Sequence, residues 1–101
     1  MGKIKVIKKV PGERPYTTYI SDRLEVWQQN VGGPIEVFPV ATDLIIICNE
    51  EGRLCNMRWN CNVIGEDLYG PVIFAGRKDD QFTDIPIDFK TFKKVFSGLY
   101  K

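Results

Sequence analysis

A chain of 101 residues with 44% hydrophobic and 27% charged positions has the ordinary makeup of one soluble domain, long enough to bury a core without disulfides or a structural metal. No apolar run approaches the roughly 20 residues of a membrane span, and the lysine-punctuated start does not read as a signal peptide, so a cytoplasmic location is expected. The formal charge of +1 offers little long-range attraction to a polyanion, which argues against nucleic acid as a partner.

The chain opens with Ile4 and Val6 alternating with Lys3, Lys5 and Lys8, the pattern of a half-buried strand whose lysines face solvent at a sheet edge. Pro11-Gly12-Glu13-Arg14-Pro15 reads as a turn, and Tyr16 to Ile20 as the returning strand of an antiparallel hairpin. Asp22 with Glu25 resembles a capping box. Leu24, Trp27 and Val31 then form the apolar stripe of a short helix that Gly32-Gly33-Pro34 must stop, because glycine supplies the left-handed cap and proline cannot continue.

Ile35 to Val40 is a strand placed toward an edge or a bulge by Pro39, which has no ladder donor. Leu44 to Cys48 is apolar throughout and is expected at the centre of the sheet, buried on both faces. Arg53 to Met57 is expected to return as a further strand, and 58–70 to form an irregular loop with one helical turn. Pro71 to Gly76 reads as another buried strand. Phe89, Phe92 and Phe96 define a last helix capped by Asp88, with Lys93 and Lys94 toward its C-terminal end. The expected architecture is therefore a single α+β domain over 1–101. A mainly antiparallel β-sheet of about five or six strands carries two helices packed on one face.

Within this frame VGGPIEVFPVATDLIIICNEEGRL is similar to a family of small bacterial and phage domains known as domain-of-unknown-function family 3846. The likeness covers about 20–76; Asn60 and Gly70 to Gly76 resemble the family's asparagine loop and following strand, while Arg58 to Asn62 lacks its proline-containing approach. The resemblance implies a setting in phages and other mobile elements, where accessory proteins meet host defence. It implies no activity.

Catalytic machinery is not legible: the chain has no histidine, no phosphate-binding glycine loop, and carboxylate pairs only in turns. Cys48, Cys55 and Cys61 lack metal-ligand spacing, so neither a metal nor another cofactor is expected, and the protein is read as not an enzyme. The 53–70 region is the candidate site. Arg53, Arg58 and Arg77 could hold phosphate, Trp59 or Tyr69 could stack a base, and Asn60 and Asn62 could read its edge. The leading expectation is a homo-oligomeric accessory protein that sequesters a nucleotide-like signalling ligand. The alternative is an inhibitor or adaptor docking on a host protein through the opposed charges of basic chain ends, including Lys101, and an acidic middle.

Overall fold

The computed structural model describes residues 2–100, so Lys101 lies outside the described residues. The elements run β1 (Lys3–Lys9), β2 (Tyr16–Ser21), α1 (Leu24–Val31), β3 (Ile35–Pro39), β4 (Leu44–Asn49), β5 (Trp59–Val63), β6 (Glu66–Tyr69), β7 (Val72–Lys78), β8 (Gln81–Thr83) and α2 (Phe89–Val95), then a 3-10 turn at Ser97–Tyr100. Six strands form one antiparallel sheet in the order β2-β1-β7-β4-β3, with β8 pairing the second half of β7. β5 and β6 form a separate hairpin. No helix is long and apolar enough to cross a membrane among the described residues.

The central strands are apolar at consecutive positions because the sheet is covered on both faces. Strand alternation sends Leu44, Ile46 and Cys48 of β4, with Val72 and Phe74 of β7, into one core. Ile45, Ile47, Ile73 and Ala75 enter the other. α1 seals the second core with Trp27 and Val31. The first is closed by Phe92 of α2 together with Cys61, Val63 and Leu68 of the hairpin. Phe92 meets Phe74 edge-on at a centroid distance of 4.9 Å. The two helices therefore lie on opposite faces, not on one as expected. A sheet apolar on both sides needs two covers, and an eight-residue helix supplies only one.

Three local readings change for identifiable reasons. Residues 53–57 are a tight turn, with Cys55 N donating to Glu51 O at 2.8 Å and Met57 N to Gly52 O at 2.9 Å. Asn49 starts it: its Oδ1 accepts from Glu51 N at 2.7 Å while its amide donates to Val31 O at 3.2 Å, tying the turn to the end of α1. The 58–70 stretch is the β5–β6 hairpin rather than an irregular loop. The capping box before α1 does not form, because Asp22 accepts instead from the Trp27 indole at 3.1 Å and Arg23 stands at the cap position without a side-chain capping bond. Asp88 does cap α2, accepting from Thr91 N at 2.7 Å, and Gly32 ends α1 at φ 84.

β1 is also not an edge strand. It lies between β2 and β7, and its lysines run from exposed Lys3 through half-buried Lys5 and Lys8 to buried Lys9. Lys8 donates to Asn30 of α1 at 3.0 Å, and Lys9 is carried to the opposite face under the hairpin.

Candidate functional site

The site begins with a lysine that the fold buries. Register places Lys9, the last residue of β1, opposite Val72 of β7. A bulge between Trp59 and Cys61 turns Asn60 inward above it. Lys9 is 6% exposed and Asn60 3%. Asn60 spends both amide hydrogens on backbone, donating to Lys9 O at 2.8 Å and to Gly70 O at 2.7 Å. Its Oδ1 accepts from Lys9 Nζ at 2.8 Å, and its carbonyl lies 3.4 Å from the same nitrogen. The ammonium is thus held by oxygens of neutral amides. Among the described residues the ion pair within reach is Arg23 with Glu25, far along the chain, and Lys9 has no carboxylate partner.

Two clefts open beside this clamp, sharing Lys9, Trp59, Asn60 and Leu99. The first, of about 540 Å³, adds Arg14, Arg58, Gly12 and Tyr100 and is cationic apart from Glu13. The Arg58 guanidinium lies against Gly12: a Cβ there would fall 2.8 Å from Nη2, and φ of 82 would strain any side chain. Tyr100 Oη is buried without a hydrogen-bond partner among the described residues. Burial pushes its phenol upward, and the Arg14 cation partly opposes that. The second cleft, of about 580 Å³, is apolar, with Val63, Ile64, Val95 and Phe96 among its walls.

Of the residues singled out by sequence, Arg58, Trp59, Asn60 and Asn62 gather around these clefts. Trp59 is 51% exposed, and its indole donates to Asp67 Oδ1 at 3.0 Å. Asn62 donates to the same oxygen at 3.1 Å and accepts from Gly65 N at 3.1 Å, so its polar atoms are committed to the hairpin. The Trp59 bond first and the Asn62 bond second hold the Asp67 carboxyl below its usual range. Arg53 and Tyr69 pair elsewhere, the guanidinium 5.1 Å from the ring centroid. They line a cleft of about 310 Å³ with Glu36, Glu50, Glu66 and Asp67, a setting that repels an anion. Arg77 sits at the opposite end of β7 from Val72.

Sequence reasoning missed Lys9, Arg14 and Tyr100 as companions of Arg58. One signal was available: period-two alternation puts Lys9 on the same face as Ile7, which is the buried face of the hairpin side. Arg14 and Tyr100 come from opposite chain ends and carry no local mark. Cys48 and Cys61 are poor nucleophiles here, since burial, with Glu36 second, pushes the Cys48 thiol up to about 11 and burial raises Cys61. Among the described residues no three His, Cys, Asp or Glu side chains converge to hold a metal.

Fold and site define a small α+β domain with a cation-lined cleft between a hairpin and the chain's last turns. It belongs to the family described as Domain of unknown function (DUF3846), whose model matches residues 4–97. The match extends past both ends of the segment that carried the resemblance. Comparisons with curated proteins and with solved structures gave no match.

Proposed function

We propose that this domain is a non-enzymatic accessory protein, of phage or mobile-element type, that binds a small phosphorylated, nucleotide-like ligand in the cleft beside Lys9. One observation carries the reading. Among the described residues the buried Lys9 ammonium meets amide oxygens and no carboxylate, an arrangement that a ligand phosphate would complement. Arg14 and Arg58 stand on the same cleft and supply forked donors for phosphate oxygens. Trp59, half exposed at the boundary of the two clefts, offers a face on which a base can stack. The Tyr100 hydroxyl, without a hydrogen-bond partner among the described residues, supplies a donor.

In this reading Asn60 and Asn62 position the site and do not read a base, because their amide groups are already engaged. Arg53, Tyr69 and Arg77 stand outside the contact set. Binding would lower free ligand by mass action, with no bond broken.

The test is titration with a panel of nucleoside phosphates and with inorganic phosphate, followed by Trp59 fluorescence against the buried Trp27 background. The expected result is a saturable change for a phosphorylated member of the panel, weakened roughly tenfold or more by Arg58→Gln. No change in fluorescence and no calorimetric heat across the panel would overturn the proposal.

A further inference from the structure

The turn joining β5 to β6 carries a residue that its backbone does not favour. Ile64 lies at φ 50 and Gly65 at φ 79, the paired positive values of a type I′ turn. Asn-Gly or Asp-Gly suits such a turn, whereas a β-branched residue in the left-handed region is strained. The Ile64 side chain is also 64% exposed. The position therefore costs the free chain both backbone strain and apolar exposure.

Across the apolar cleft from Ile64 lies Val95 of α2, 63% exposed. The elements that follow Ile64 and carry Val95 differ in sign. The hairpin beyond Ile64 carries Glu66 and Asp67, and α2 carries Lys90, Lys93 and Lys94, all of them exposed. A twofold axis would set the hairpin of one protomer against α2 of the other, twice. Each Ile64 would then meet a Val95, and each acidic β6 a lysine-bearing α2. That self-complementarity is what an isologous interface requires. We infer that a second copy of this chain covers the apolar cleft in this way. Arg14, Arg58 and Tyr100 of the cationic cleft are not among the walls of the covered one.

Sedimentation equilibrium over a range of concentrations up to about 100 μM tests the inference, with thermal melts of the same samples. The wild-type chain is expected to reach the mass of a dimer. Ile64→Asn relieves the backbone, since asparagine tolerates positive φ, so the variant is expected to melt no lower as a monomer while dimerising roughly tenfold or more weakly. Glu66→Lys and Lys94→Glu are each expected to weaken the dimer, and the double exchange to restore it. A wild-type chain that stays monomeric, or a dimer unmoved by Ile64→Asn and by both charge reversals, would overturn the inference. So would a foreign protein that takes this face while self-association is absent.

Discussion

Replacing Asn60 by alanine probes the clamp on which the functional reading stands. The side chain makes two bonds to backbone carbonyls and one to the Lys9 ammonium, all within 2.8 Å and all buried. Two neutral bonds contribute about 1 kcal/mol each, and leaving a buried ammonium short of its best acceptor costs about 2 kcal/mol more. Asn60→Ala should therefore destabilise by about 4 kcal/mol, a large share of the roughly 5–15 kcal/mol that holds a domain of this size. Lys9→Met should behave differently. It removes the charge together with its desolvation cost, which offsets the loss of the donor to Asn60 Oδ1, and leaves Asn60 both of its backbone acceptors, so a change within about 1 kcal/mol is expected. In that background Asn60→Ala should cost about 2 kcal/mol less than in the wild type, because no stranded ammonium remains. Urea unfolding of the four proteins of this cycle, followed by circular dichroism with a check on equal slopes, measures the coupling. An Asn60→Ala cost below about 1 kcal/mol, or the same cost in both backgrounds, would refute the picture of a buried cation dependent on one amide.

Three further expectations follow from separate parts of the fold. A methyl group on Gly76 would overlap Asp84 O and Thr83 Oγ1 where β8 returns along β7, so Gly76→Ala should lose roughly 3 kcal/mol in the same unfolding assay. Asp67 is held below the ordinary carboxylate range by Trp59 and Asn62. Its contribution to the hairpin is thus present above about pH 4, the unfolded value, and is lost as pH falls through the depressed folded one. The indole N–H of Trp59 should report that midpoint by NMR, and Asp67→Asn should flatten the curve; a midpoint at or above the ordinary value would contradict it. Of the three cysteines only Cys55 is exposed, so one thiol should alkylate in the folded protein at mildly alkaline pH and three after denaturation, as read by mass spectrometry.

Much of the scaffold was legible because its signals are local. The unbroken apolar run Leu44 to Cys48 could only be a strand covered on both sides, and β4 is buried along its whole length. Gly32 and Asp88 mark helix ends through backbone freedom and a short acceptor, and both act there. The hairpin was hidden by the same residue that makes its turn unusual: Ile64 stands where asparagine would have announced a type I′ turn, and the Trp59–Cys61 bulge breaks the alternation on one arm. Which element covers each face was hidden, because an unbroken apolar strand reads the same whether its second face meets a helix or a hairpin. For the site, Arg58 and Trp59 were visible as neighbours in sequence. Lysine ordinarily lies at the surface, and the burial of Lys9 depends on an asparagine fifty-one positions away. Arg14 and Tyr100 join only once β1 and the C-terminal turns are brought together around the hairpin, which no local pattern encodes.

The most direct measurement is native mass spectrometry of the protein purified from a cell extract, beside its Lys9→Met and Arg58→Gln variants, with each sample also denatured to release what it carries. The account predicts a discrete extra mass of nucleotide size on the wild-type protein, retained per protomer and missing from both variants. A wild-type protein that emerges at its bare mass and takes up nothing from a panel of nucleoside phosphates would contradict it.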